Sequence, residues 1–291
     1  MNPKELVIIS GKGGTGKTTL ALGLVSIFKN IVIADCDVDT PDLHLVLKPY
    51  KTEEKGIFKE RFTAFINKDR CIECGKCRQV CRFEAISKDL VVNSLECQGC
   101  RFCELVCPQK AIEMREEITG NWQISQTRFG PFVWAQLTNL GENSGKLVSL
   151  IREKARNLAK KIGSELVIID GSPGIGCPVI ASITGANFCV VVTEPSLSAL
   201  HDAERVIRLT EHFRIKAGLV INKYDLNPEL TQKIQDWAQK EKIAILGKIK
   251  FKESVIKAML ELKTVIEFPD QEIKSTFYEI ASKIKERLEA S

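Results

Sequence analysis

The stretch Ser10-Gly11-Lys12-Gly13-Gly14-Thr15-Gly16-Lys17-Thr18-Thr19 decides how the rest of the chain is read. The apolar run Leu6-Val7-Ile8-Ile9 stands before it, and a helix-like run from Thr18 to Phe28 follows. From Gly11 to Thr18 the pattern is Gly-x4-Gly-Lys-Thr, in the strand-loop-helix setting that a phosphate-binding loop needs. Glycines let the backbone curl so that successive N–H groups point at phosphate oxygens, and the helix adds the positive end of its dipole. Gly11, Gly13, Gly14, Thr15, Gly16, Lys17, Thr18 and Thr19 are therefore candidate nucleotide-binding residues. Lys17 would sit on the β/γ-phosphates and the Thr18 hydroxyl on Mg²⁺.

The motif does not require Lys12, which on residue type alone is also compatible with a solvated lysine on a turn. The string Lys-Gly-Gly-Thr-Gly-Lys-Thr resembles the deviant Walker A sequence of the MinD/ParA/Mrp/nitrogenase-iron-protein family of ATPases. That resemblance implies that Lys12 reaches across a dimer interface to the nucleotide of the other subunit, in a sandwich homodimer closed by ATP. Two further stretches fit the same family. Ile31-Val32-Ile33-Ala34 ends in Asp35-Cys36-Asp37-Val38-Asp39, and carboxylates at the carboxyl end of a strand are where open α/β sheets keep their ligand chemistry. The family match makes this switch I, with Asp37 orienting the attacking water and Asp35 in support; three acids in five residues are also common in plain polar loops.

Leu166-Val167-Ile168-Ile169-Asp170 reads as a buried parallel strand ending in an acid, followed by Gly171-Ser172-Pro173-Gly174. It resembles switch II, which implies that Asp170 holds Mg²⁺ and that the Gly174 amide senses the γ-phosphate. Asn222-Lys223-Tyr224-Asp225 closes a later strand. Asn222 matches the family's base-contacting asparagine, with Lys223 beside it. Asn-Lys-x-Asp is also the guanine-reading motif of GTPases, and the deviant Walker A favours ATP.

The eleven cysteines carry the second signal, because eight of them fall between Cys71 and Cys107, leaving Cys36, Cys177 and Cys189 scattered. Cys71, Cys74, Cys77 and Cys81 follow C-x2-C-x2-C-x3-C, and Cys97, Cys100, Cys103 and Cys107 repeat it 26 residues later. Clustered cysteines outside an oxidising compartment argue for metal rather than disulfides. Zinc favours single four-thiolate sites and gives no reason for the doubled period. The two runs resemble a bacterial two-cluster [4Fe–4S] ferredoxin, in which the fourth cysteine of each run ligates the other cluster. This implies Cys71, Cys74, Cys77 and Cys107 for one cluster, and Cys97, Cys100, Cys103 and Cys81 for the other. Arg82 departs from the proline usual after the first run, whereas Pro108 keeps it. Cys177 stands where nitrogenase iron proteins carry an interfacial cluster cysteine, but without a matching second cysteine it reads as an ordinary thiol.

The chain has 291 residues, 44% apolar and 27% charged, with a formal charge of +5. Eight thiolates and two cluster cores bring that to about +1, so basicity gives no argument for nucleic acid. No stretch approaches the ~20 apolar residues of a membrane span, and the beginning lacks a signal-peptide core, so a cytoplasmic protein without stable membrane insertion is expected.

Alternating βα segments predict an α/β fold: a mostly parallel, doubly wound phosphate-loop sheet with an inserted small α+β bacterial-ferredoxin-like domain. The ATPase part is assigned to residues 1–60 and 116–291 and the insert to 61–115. Thr40 to Leu47 reads as a short helix, Lys48 to Lys59 as a connection, and Gly120-Asn121 as a hairpin turn. Glu142-Asn143-Ser144 reads as the start of a helix running to Lys161. Asp270 to Leu288 reads as a terminal helix whose apolar face packs on the sheet, although in that family a terminal amphipathic helix can bind membrane. The expected function is a slow, partner-stimulated Mg-ATP hydrolase whose ATP-dependent dimerisation controls electron transfer from two [4Fe–4S] clusters to a redox or client protein. The alternatives are a cofactor-assembly carrier and a cell-positioning ATPase.

Overall fold

The computed structural model describes residues 2–141 and 145–290, and the chain divides into two compact units. The first comprises Met1–Lys55, Trp122–Ala135 and Asn143–Ser291; the second comprises Gly56–Asn121 and Gln136–Glu142. The helix start assigned to Glu142-Asn143-Ser144 lies outside the described residues.

In the first unit, β1 (Lys4–Ser10), α1 (Lys17–Ile27), β2 (Ile31–Asp35) and α2 (Leu43–Leu47) come first. The chain then runs through β3 (Lys51–Ile66), α3 (Lys76–Val80), α4 (Phe102–Val106), β4 (Ile112–Thr127) and β5 (Gly130–Leu137). It continues with α5 (Gly145–Ile162), β6 (Leu166–Pro173), α6 (Cys177–Ile183), β7 (Phe188–Thr193), α7 (Leu197–His212) and β8 (Ala217–Asn222). The last elements are α8 (Pro228–Lys240), β9 (Ala244–Ile249), α9 (Glu253–Leu260) and α10 (Gln271–Glu289).

Among the described residues nine strands lie in the order β3-β4-β5-β2-β6-β1-β7-β8-β9, and pairing is parallel from β5 through β9. β2 and β7 are buried at every residue, as expected of Val/Ile runs covered by helices on both faces. Register brings the carboxyl ends of the middle strands level: Asp35 pairs with Asp170, and Ser10 with Val192. The terminal helix α10 buries Ile273, Phe277, Ile280, Ile284 and Leu288 in the main core, as the helical spacing predicts.

Three expectations are corrected. Lys48 to Lys59 is not a connection, since β3 begins at Lys51; its first residues are exposed and charged, the composition of a protected sheet edge, which hid it. Gly120-Asn121 is not a hairpin, because β4 continues through it and neither residue has the positive φ that such a turn demands. The chain reverses instead at Arg128-Phe129, before Gly130 with φ 141°. Helix α2 starts at Leu43 rather than Thr40, because the Asp35 carboxylate accepts from the Leu43 N–H at 3.3 Å and fixes the preceding loop.

The second unit repeats its backbone as it repeats its sequence. Helices α3 and α4 occupy equivalent places 26 residues apart, and positive φ recurs with them: Glu73 53° and Gly99 63°, Gly75 72° and Arg101 64°, Glu84 51° and Lys110 46°. Its core holds Ala64, Ile66, Ala85, Ile86, Leu90 and Ile112 around Cys77, Cys97 and Cys103.

Candidate functional site

Five adjacent strand ends build the site of the first unit. The loop after β1 turns into α1 through Gly16, whose φ of 94° is open to glycine at little cost. A Cβ on Gly16 would lie 2.2 Å from Asn222 Nδ2, which donates to the Thr15 carbonyl at 2.8 Å. Strand β8 thus grips the loop through Asn222. Lys223 adds a second grip, its ammonium donating to the Gly14 carbonyl at 3.0 Å. Gly11 lies against α7, where a Cβ would come within 2.4 Å of Asp202 Cβ. Gly13 and Gly14 face open space, and the Thr15 hydroxyl is buried with no hydrogen-bond partner. A buried hydroxyl without a partner beside an open cradle fits a polar ligand.

Lys17, the first residue of α1, is buried among carboxylates. Its ammonium stands 2.8 Å from Asp170 Oδ1 and 3.3 Å from Asp37 Oδ2, with the Thr18 hydroxyl at 3.4 Å. Asp35 is fully buried and accepts from the Asp37 N–H at 3.0 Å, so it shapes the loop that carries Asp37. Burial pushes Asp170 above its ordinary value while Lys17 opposes, and pushes Asp35 well above, aided by Asp170. Burial alone would lower Lys17, but Asp170 and Asp37 outweigh it and hold it raised. Lys17 is thus the counter-charge for the buried carboxylates at the ends of β2 and β6. Thr19 is half-buried in the first turn of α1. The Gly174 N–H donates to the Ser10 carbonyl at 2.8 Å and Gly174 has φ 93°, so here its amide is engaged by β1.

Lys12 is not a solvated turn lysine. Its ammonium meets Glu194 Oε1 at 2.9 Å, Ser196 Oγ at 3.2 Å and Ser198 Oγ at 3.3 Å. Glu194 also pairs with Lys223 through Oε2 at 2.9 Å. Sequence reading missed this cluster, whose one visible sign was an acid closing β7. Asp225 accepts from the Phe251 N–H at 2.7 Å, and Asn227 caps α8. Cys36 is buried filler, Cys177 is exposed, and His44 stacks on Trp134 with centroids 4.7 Å apart. A separate cavity lies by the amino ends of β1 and β6 and includes none of these residues.

In the second unit the eight cysteines sort into two fours. Cys71, Cys74, Cys77 and Cys107 line one small cavity, and Cys81, Cys97, Cys100 and Cys103 line another. Each set takes three residues from one repeat and one from the other. Among the described residues no three His, Cys, Asp or Glu side chains are gathered around a position for one ion. Burial pushes the Cys103 thiol up to about 11, and Cys77 upward as well. The Ala111 N–H donates to Cys107 Sγ at 3.2 Å.

Residues 6–265 match the family described as the CobQ/CobB/MinD/ParA nucleotide binding domain. An uncharacterised protein of Methanocaldococcus jannaschii, MJ0578, is 39% identical over 228 residues, which are 77% of this chain and 79% of that one. A 56-residue stretch, 19% of this chain, is 39% identical to the pyruvate synthase subunit PorD of Methanothermobacter marburgensis and covers 69% of it. The septum site-determining protein MinD of Pyrococcus horikoshii, solved with Mg-ADP, superimposes with a TM-score of 0.60 at 16% identity, covering 97% of this chain and 96% of that one. No described helix is long and apolar enough to cross a membrane.

Proposed function

Because the chain belongs to the CobQ/CobB/MinD/ParA nucleotide-binding family, we propose that it is a Mg-ATP hydrolase whose ATP-closed homodimer controls electron transfer from two [4Fe–4S] clusters to a partner protein. Lys17 holds the β/γ-phosphates, Thr18 and Asp170 hold Mg²⁺, and Asp37 orients the attacking water. Lys12 serves the nucleotide of the second copy, Asn222 and Lys223 fix the loop beside the base, and Gly174 exchanges its β1 carbonyl for the γ-phosphate. The unpartnered Thr15 hydroxyl, the open space at Gly13 and Gly14 and the acid-rich pocket around Lys17 support a Mg-nucleotide at this place. Mg²⁺ supplies charge neutralisation at the phosphates.

The observation that carries the redox half is the sorting of eight thiols into two fours, each around its own cavity and each drawing one member from the opposite repeat. The donor set is the all-thiolate one that [4Fe–4S] clusters take. Cys71, Cys74, Cys77 and Cys107 hold one, and Cys97, Cys100, Cys103 and Cys81 the other. A bound cluster stores and releases one electron. Crossed ligation ties the two repeats together, which suits a resident carrier more than a delivered cargo. The match to a subunit of pyruvate synthase supports a redox setting. A positioning role through a membrane-bound terminal helix is disfavoured, because the apolar stripe of α10 is buried in its own unit.

The test is anaerobic purification followed by iron, sulfide and zinc analysis with an ATP-binding isotherm. About eight irons per chain, with binding lost in Lys17→Ala, supports the proposal; zinc in place of iron, or ATP binding indifferent to Lys17, overturns the corresponding half.

A further inference from the structure

We infer that the residues around the two cysteine sets make them unequal hosts for an electron: Cys71, Cys74, Cys77 and Cys107 hold the cluster that is reduced first, and Cys81, Cys97, Cys100 and Cys103 hold the stronger reductant. The inference rests on the proposed clusters and puts them in order. The 26-residue repeat supplies an internal control, because each position beside one set has a counterpart beside the other. Where counterparts differ, the surroundings of the two sets differ while the ligands stay the same.

Charge differs first. Arg70 stands before the first cysteine of its run and Arg78 after the third, and their counterparts are Glu96 and Glu104. From 70 to 78, Arg70, Glu73, Lys76 and Arg78 give a net charge of +2; from 96 to 104, Glu96, Arg101 and Glu104 give −1. Reduction adds negative charge, so the first loop favours it and the second opposes it.

Shielding and hydrogen bonding point the same way. Half-exposed Phe83 and Phe102 line the second cavity at the positions that Gln109 and Lys76 take in the first. Aromatic rings keep water from the added charge, and a group held away from water resists becoming charged. On the first set, the Ala111 N–H donates to Cys107 Sγ at 3.2 Å, and a donor to a ligating sulfur favours the reduced state. Its counterpart Ala85 makes no such bond to Cys81 among the described residues.

A charge near the protein surface matters by about twofold in an equilibrium, so a difference of three amounts to roughly tenfold, or about 59 mV for one electron. The experiment is an anaerobic potentiometric titration of full-length, iron-loaded protein followed by electron paramagnetic resonance. Two one-electron waves separated by about that gap are expected. Arg78→Glu should lower only the upper wave and Glu104→Arg should raise only the lower one. Each reverses a charge, which is about fourfold or about 35 mV, so both variants narrow the gap. Gln109→Phe, which copies the second cavity into the first, should lower the upper wave as well. Two equal clusters that merely repel one another also give two waves, but then Arg78→Glu lowers the lower wave, Glu104→Arg raises the upper, and both widen the gap. A single wave in the wild type, or a gap that widens in variants keeping about eight irons per chain, overturns the ordering and leaves the clusters standing. A protein that binds no iron overturns the cluster reading and the ordering together.

Discussion

Replacing Lys17 by methionine removes the one ammonium among three buried carboxylates while keeping most of its volume. Asp35 is 0% exposed, Asp170 1% and Asp37 8%, so water cannot replace what is lost. Breaking a buried ion pair by deleting one partner costs about 3–5 kcal/mol, because the remaining charge stays buried. Protonation offers a partial escape, since Asp170 and Asp35 are already raised by burial. A loss of about 3 kcal/mol in nucleotide-free protein at pH 8 is therefore expected, or roughly 6–12 °C in melting temperature for a chain of this size. The pH dependence has a definite sign. An acid whose folded pKa lies above its unfolded one penalises the folded state fully above the folded value, and the penalty fades as pH falls through it. The Lys17→Met deficit should therefore shrink between pH 8 and pH 5. Denaturant unfolding of both proteins across that range is the assay. A deficit under about 1 kcal/mol at pH 8, or one equal at both ends, would refute the reasoning.

Gly16→Ala places a Cβ at φ 94° and 2.2 Å from Asn222 Nδ2, combining left-handed strain of about 1–2 kcal/mol with loss of a hydrogen bond worth about 1 kcal/mol. ATP affinity should fall at least about tenfold by calorimetry. Burial would raise Glu267, but the Arg128 fork at 3.0 and 2.9 Å and the Thr264 N–H at 2.8 Å hold its carboxyl below the usual range. The stability it adds is present above the unfolded value and lost as pH falls through the lower folded one. Glu267→Gln should therefore be less stable than wild type at pH 7 and converge with it in acid, as measured by melting curves. Cys77→Ser removes a buried thiol from the first cavity; iron content should fall by about four per chain if that cavity holds a cubane.

What was legible in the sequence was whatever is encoded locally. The glycine loop, its strand and helix, Asp37, Asp170 and the doubled cysteine run all announce themselves within a dozen residues. The positive φ values recur at the same 26-residue offset as the cysteines, although the residues at those positions differ. What escaped depends on strands meeting far from one another in sequence. Glu194 joins Lys12 and Lys223 across 182 and 29 residues, and its place just after β7 says nothing of which lysines it meets. Asn222 was read as a base contact, but its side-chain amide holds the loop through the Thr15 carbonyl. Gly174 was read as sensing the γ-phosphate through its amide, and here that amide donates to the Ser10 carbonyl. Edge strand β3 was hidden by its charge, and Gly120-Asn121 misled because turn propensity yields where a strand already has neighbours on its ladder.

Coupling between nucleotide and clusters is measured most directly by reducing the clusters anaerobically and following their oxidation by a one-electron acceptor protein, with Mg-ATP, with Mg-ADP, and in Lys12→Ala. An oxidation rate or midpoint potential that differs between ATP and ADP, with the difference abolished by Lys12→Ala, is the predicted result. Rates and potentials indifferent to ATP, ADP and Lys12 would contradict it.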